Sequence, residues 1–372
     1  MPEGHQRTKE LEETRKKANE ALREGAKLKR ELEIVKAGKP NLSQYNKAIN
    51  GLSAIDWIEK GYALENDGNT QEAREAFTRA IQLNSNDALA YYSRGGVYSK
   101  PGTYRQAIED YDRAIQLNPN FAHAYLFRGI AYGELGDNRQ AFKDYDRAIE
   151  LNPKYDEIAY LRRGLIYDQL GDYRQAIRYF DRAIELKPKD AAAYKYRGDA
   201  YRDLGDYRQA IRYFDRAVEL NPKDELAYHN RGGTYFALGN YQQAIRDYDK
   251  SIQLNPKDPD AYHNRGRAYL NLGNYRQAIR DLDKAIELDP KHAPNYQSRG
   301  FAYVKLKDYR QALRDLNRAI ELDPKDATAY YYRGLAYVIL ESLRQATEDF
   351  KFAARLGHKE AQDFLRSNGI SW

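Results

Sequence analysis

The chain has 372 residues, with 61 basic and 55 acidic side chains, a net charge of +6 and a mean hydropathy of −0.90. It has no cysteine, which excludes a disulfide framework and a thiolate metal site. No run of eighteen apolar residues could cross a bilayer as a helix, and no apolar N-terminal stretch reads as a secretory leader.

Residues 1–40 form a charged N-terminal segment and linker. Within it, Leu11, Ala18, Ala21, Leu28, Leu32 and Val35 fall on the a and d places of a heptad, interrupted by Thr14 and Gly25. This spacing predicts an amphipathic helix that ends at the Gly38-Lys39-Pro40 break. It is read either as a solvated arm or as a helix docked on its own chain or on a second copy. Residues 41–53 predict a short capping helix, started by Ser43 and carrying Tyr45, Ala48 and Ile49.

From Ala54 to Glu360 the sequence repeats at a period of thirty-four, with units starting at Ala54, Ala88, Ala122, Glu157, Ala191, Glu225, Pro259, Ala293 and Ala327. A period of this size marks a solenoid. The unit Ala191–Asp224 shows the plan. Tyr194, Arg197, Ala200, Tyr201 and Leu204 lie at helical spacing, and so do Ala210, Ile211, Phe214, Ala217 and Val218. Gly205-Asp206 separates the two runs, and Asn221-Pro222 ends the second. Gly198, Ala210 and Ala217 let the helices approach, while Tyr194, Tyr201, Tyr207 and Phe214 fill the space they leave. Most of the 34 tyrosines fall on these packing positions, which argues against a base-stacking surface. Pro101-Gly102 is expected to shorten one first helix. One extra residue enters near Lys154–Glu157, and Lys307 and Glu341 replace turn glycines. Residues 361–372 predict a capping helix with the stripe Ala361, Phe364 and Leu365.

The pattern W-x2-L-G-x2-Y, A-x3-F, P at this period resembles the tetratricopeptide repeat (TPR) family over nine units. Two departures recur: Tyr replaces Trp at position 4 except at Trp57, and Arg replaces Leu at position 7 in eight units, from Arg94 to Arg333. The resemblance implies an all-α, right-handed superhelical solenoid with helical caps. It also implies a protein-interaction scaffold rather than an enzyme, taking a peptide or amphipathic helix in a concave groove lined by the first helices. An idealised scaffold without a native partner is the alternative, favoured by the missing cysteine and the single methionine and opposed by the irregular units. Nucleic-acid binding is disfavoured by the near balance of charge.

The recurrent Arg is expected to lay its stem in the core and to meet an acid, because Asp recurs at position 23. The groove positions implied by the family are Ile58, Tyr62, Tyr92, Leu126, Ile130, Leu161 and Leu165, an apolar stretch, followed by the polar Lys195, Asp199, Arg202, His229, His263 and Arg267. The apolar stretch is expected to face a partner segment. His229 and His263, on adjacent first helices, are read as polar groove residues, with no metal or cofactor expected. Asp199 and Asp260 stand where chaperone-binding relatives carry Asn and Lys, which argues against a carboxylate clamp. No nucleophile elbow, phosphate loop or H-E-x-x-H is present. The expected product is a cytoplasmic monomer or homodimer.

Overall fold

The computed structural model describes residues 52–372. The expected charged helix, its docking in cis or in trans and nearly all of the expected capping helix lie outside these residues. Every regular element among the described residues is a helix, with no strand. The described residues fall into two compact units that divide between Ala159 and Tyr160.

In the first unit α1 (Ala54–Asn66) pairs with α2 (Thr70–Leu83), α3 (Ala88–Tyr98) with α4 (Tyr104–Leu117), and α5 (Ala122–Glu134) with α6 (Asn138–Leu151). A 3-10 turn at Pro153–Tyr155 absorbs the extra residue before α7 (Asp156–Gln169). The second unit continues with α8 (Tyr173–Leu186), α9 (Ala191–Asp203), α10 (Tyr207–Leu220), α11 (Glu225–Ala237) and α12 (Tyr241–Leu254). After these come α13 (Pro259–Asn271), α14 (Tyr275–Leu288), α15 (Ala293–Lys305), α16 (Tyr309–Leu322), α17 (Ala327–Ile339) and α18 (Leu343–Arg355). Here too each first helix packs on the second helix that follows it, and each second helix packs on the next first helix.

Local chemistry sets the boundaries. The carboxylates of Asp87, Asp190, Asp224, Asp258 and Asp326 accept from first-turn amides of the first helices, and Asp137, Asp172, Asp206 and Asp308 do the same for second helices. Between the helices of a pair, Gly205 takes a φ of 90°, the left-handed conformation that lets the chain reverse. Lys307 and Glu341 hold the same conformation at φ 64° and 57°, at a cost of roughly 1–2 kcal/mol for a residue with a Cβ. Pro101-Gly102 shortens α3 to 11 residues, against 13 in α1 and α5, as the sequence predicts.

The core is built by contact between a glycine and a large residue sixteen positions later. A Cβ on Gly198 would sit 2.8 Å from the Phe214 ring, and one on Gly300 2.7 Å from Leu316. Fully buried alanines such as Ala210 and Ala217 let the helices close around these rings. At the C-terminus α19 (Lys359–Ser367) begins two residues before the expected cap. It buries Ala361 and Leu365 fully, while Phe364 rests on Phe350 with ring centroids 4.6 Å apart and stays 41% exposed.

The recurrent arginines tie second helices together. Arg94, Arg128, Arg231, Arg265, Arg299 and Arg333 donate from Nε and Nη2 to Asp110, Asp144, Asp247, Asp281, Asp315 and Asp349, each at 2.6–2.8 Å and sixteen residues ahead. This is the expected partner. The third nitrogen reaches sixteen residues back, into the preceding repeat. Nη1 donates to Asp112, Asp215, Asp249, Asp283 and Asn317 at 2.5–2.7 Å from Arg128, Arg231, Arg265, Arg299 and Arg333. Arg197 reaches Asp181 at 2.7 Å, and because Tyr213 stands at its forward position it lies 4.0 Å above that ring instead. Burial lifts the Asp247 carboxyl above the usual range, against the pull of Arg231. The planar five-donor fork of Arg suits this double reach, which Lys could not copy.

Gly95 and Gly96 lie side by side in α3 and should respond oppositely to alanine. A Cβ at Gly95 meets the Tyr111 ring at 2.8 Å, whereas a Cβ at Gly96 meets nothing within 4 Å. Gly95→Ala should cost about 1–3 kcal/mol by overpacking, and Gly96→Ala should gain up to about 1 kcal/mol of helix propensity. Urea unfolding of both variants checks the sign of each.

Candidate functional site: the face of the first helices

First helices of successive repeats lie side by side, α1 with α3 in the first unit and α9, α11, α13, α15 and α17 in the second. The candidate residues stand on these helices, yet not all are open to a ligand.

In the first unit Ile58 and Leu126 are 5% and 2% exposed, so both are core residues and not the open groove lining that the family positions imply. Ile58 belongs to the cluster around Phe77. Tyr92 packs against Phe121 and Phe127, with ring centroids 4.9 and 5.8 Å away. His123 closes the same aromatic group and bonds to the Tyr155 hydroxyl. Burial raises the Tyr92 hydroxyl well above its ordinary range and lowers the His123 imidazole. Ile130 is half-buried, and Tyr62 is 37% exposed with its hydroxyl 2.5 Å from Ser93 Oγ. In the second unit Leu161 and Leu165 lean on the cluster of Ile177, Phe180 and Ala200. The expected bare apolar wall is therefore mostly closed by the protein itself, because Ile58, Tyr92 and Leu126 at position 5 fall toward the core rather than away from it.

The polar stretch of the second unit is a ladder of hydrogen bonds between first helices. Asn230 Nδ2 on α11 donates to Asp199 Oδ1 on α9 at 2.8 Å. Asn264 Nδ2 on α13 lies 3.2 Å from His229 Nε2 on α11. His263 Nδ1 on α13 pairs with Asn295 Oδ1 on α15 at 2.7 Å. His229 and His263 do not converge, since His229 turns toward Asp258 and His263 toward Asn295 and His292. His263 is 8% exposed and belongs to the core. The asparagines were not singled out by the sequence. The signal was the tetrad Tyr-His-Asn-Arg, present at both 228–231 and 262–265.

Charge concentrates at the α9 end. Arg202 Nη1 lies 3.0 Å from Asp199 and its Nε 2.9 Å from Asp203, while Lys195 Nζ stands 3.9 Å from Asp224 and 4.9 Å above the Tyr196 ring. Burial pushes Asp199 up to about 6 against the attraction of Arg202 and Lys195, with Asp203 and Asp168 adding repulsion. Burial lowers the His263 imidazole to about 4, offset in part by the Asn295 bond. Arg267 is exposed and lies 5.0 Å above the Phe236 ring. Tyr62, Ile130, Lys195, Asp199, Arg202, His229 and Arg267 thus keep open or half-open surface. No described helix is long and apolar enough to cross a membrane.

Family models described as tetratricopeptide repeat or TPR repeat match residues 54–87, 97–136, 120–189, 161–225, 213–246, 232–273, 259–292 and 300–339. No curated protein matches the chain. Among solved structures, a tetratricopeptide repeat protein from Parabacteroides merdae is 25% identical, with a TM-score of 0.51, over 68% of this chain and 99% of its own. The C-terminal part of a TPR repeat-containing protein from Cytophaga hutchinsonii is 22% identical, with a TM-score of 0.52, over 63% and 97%. The Cut9–Hcn1 hetero-tetramer of the APC/C gives 18% identity and a TM-score of 0.51 over 88% and 80%. The last two likenesses concern the fold.

The half-buried Asp199 makes stability depend on pH in a defined direction. Its carboxyl holds a proton up to about pH 6 when folded, against an ordinary value of 3.8. The folded chain therefore binds more protons in that window, and this contribution is full below 3.8 and lost as pH rises through 6. Asp199→Asn should gain about 2 kcal/mol relative to the parent on going from pH 4 to pH 7. His263 acts oppositely, since its contribution is full above 6.5 and lost as pH falls toward 4. Urea unfolding of parent and variant at pH 4, 5, 6 and 7 measures the difference.

Proposed function

The chain belongs to the tetratricopeptide repeat family, and from that premise we propose that it is a non-catalytic scaffold that takes a peptide or amphipathic helix along the face of its first helices. That the protein is an interaction scaffold follows from the family; the groove and the kind of ligand are the proposal. The observation that carries it is a pair of helical glycines without a packing reason. Gly96 stands at position 9 of α3 with nothing within 4 Å of its would-be Cβ, and Gly233 at the same position of α11 has only the Tyr248 hydroxyl, at 3.7 Å. Each sits directly after a glycine that is closely packed against a ring, Gly95 and Gly232. A glycine inside a helix costs about 1 kcal/mol relative to alanine, and its use is close approach of another chain to the backbone. At position 9 the first unit carries Tyr62 and Ile130 on either side of Gly96, and in the second unit Asp199 and Arg267 flank Gly233, so within each unit a ligand would meet bare backbone between open or half-open side chains. A helix laid along such a surface is anchored by a few side chains and excludes water around them.

Peptides selected from a random display library against the full chain give the test. Substituting Gly233→Phe fills the bare position while leaving the core contacts alone. It should weaken selected peptides at least about tenfold, a loss of roughly 1.4 kcal/mol. Arg212→Glu, on the exposed side of α10, should leave their affinity unchanged. Peptides sensitive to Arg212→Glu and indifferent to Gly233→Phe would place recognition on the second helices and overturn the reading.

A further inference from the structure

Glu225, His229 and Asp258 come together where the first turn of α11 meets the N-terminus of α13. One ligand atom from each lies within 4.8 Å of the other two, the only such group among the described residues. His229 Nδ1 is 3.5 Å from Asp258 Oδ2. Two ligands at about 2.1 Å from a tetrahedral metal ion stand about 3.4 Å apart, so this edge already has the separation a shared ion requires.

The groups are not consumed by other partners. His229 Nδ1 is buried and accepts or donates no hydrogen bond. Glu225 meets the Ser251 hydroxyl at 3.1 Å with one oxygen, and Asp258 uses its other oxygen to cap α13 through the Asp260 amide at 3.0 Å. Neither carboxylate forms an ion pair with Lys or Arg among the described residues, so two half-buried negative charges face one imidazole. In the preceding repeat the equivalent places are Ala191, Lys195 and Asp224, and there the Lys195 ammonium stands 3.9 Å from Asp224. The chain thus supplies a cation of its own at that place in one repeat, and offers donors without a cation in the next.

We infer that Glu225, His229 and Asp258 bind one divalent first-row transition ion, with zinc best suited to one imidazole nitrogen and two carboxylate oxygens. Imidazole selects against magnesium and calcium, and the site has no thiolate to select copper(I). Binding through Nδ1 requires the proton on Nε2. The Asn264 amide, 3.2 Å from Nε2, then turns its carbonyl oxygen toward that N–H and fixes the ring, the usual role of an outer partner of a ligating histidine. The Tyr248 ring, 5.6 Å from the imidazole centroid, walls the other side. The ion would tie α11 to α13 across one repeat junction, on the face assigned to ligand binding.

Zinc chloride titrated calorimetrically into the chelator-treated full chain at pH 7.5 tests this. The expected result is one equivalent bound, retained in excess magnesium. His229→Ala and Asp258→Asn should each lower affinity about 10–100-fold, the latter keeping its helix cap because Asn caps as well as Asp. His263→Gln should leave binding unchanged. No zinc binding, or binding of equal affinity in parent, His229→Ala and circular-dichroism-verified Asp258→Asn, overturns the assignment. Loss of binding in His263→Gln with retention in His229→Ala does so as well.

Discussion

From the second repeat onward, each repeat is organised around one largely buried charge placed between two second helices. An arginine replaces the leucine expected at position 7, and its guanidinium lies mostly out of water. Arg231 shows the arrangement: two donors go to Asp247 in its own repeat and one to Asp215 in the repeat before. An ion pair of this kind contributes little net stability compared with an apolar pair, but a half-removed pair costs about 3–5 kcal/mol. Its value lies in geometry. The bidentate contact sets the angle of a helix against its partner, and the third bond sets the distance to the preceding repeat. Where the forward acid is absent, the Tyr213 ring takes its place under Arg197. The glycine contacts then fit into a spacing that the arginines hold.

Much of this was legible in the sequence, because the repeat prints each contact several times. The glycine at position 8, the alanines and the large residue at position 24 could be paired by helical spacing within one unit. The forward acid at position 23 could be read in the same way. The backward acid at position 25 was missed, although Asp112, Asp181, Asp215, Asp249 and Asp283 recur just as regularly. Reasoning within a single unit cannot see a partner in the unit before it. The signal was the symmetry of the interval, sixteen residues in each direction.

The binding face was less legible, and for a different reason. Family resemblance names positions, whereas exposure depends on the neighbouring helix. Position 5 was read as open, yet Ile58, Leu126 and His263 are buried there, because each first helix leans on the next. The polar character of Asp199, His229 and His263 was visible, but its use was not. These groups spend hydrogen bonds on Asn230, Asn264 and Asn295, which join one helix to the next. Much of what remains open lies at position 9, including glycines whose meaning appears only once little or nothing is found beside them. Convergence of Glu225, His229 and Asp258 was hidden for a similar reason, since thirty-three residues separate the first and the last.

The central claim is that one arginine couples two repeats, and a pair of double-mutant cycles at Arg231 tests it most directly. Arg231→Met is combined with Asp247→Asn in one cycle and with Asp215→Asn in the other, and stability is measured by urea unfolding at pH 7. The account predicts favourable coupling in both, about 1.5–3 kcal/mol for the buried Asp247 and about 0.5–1 kcal/mol for the half-exposed Asp215. Coupling confined to Asp247, with none to Asp215, would contradict it, because the arginine would then act inside a single repeat.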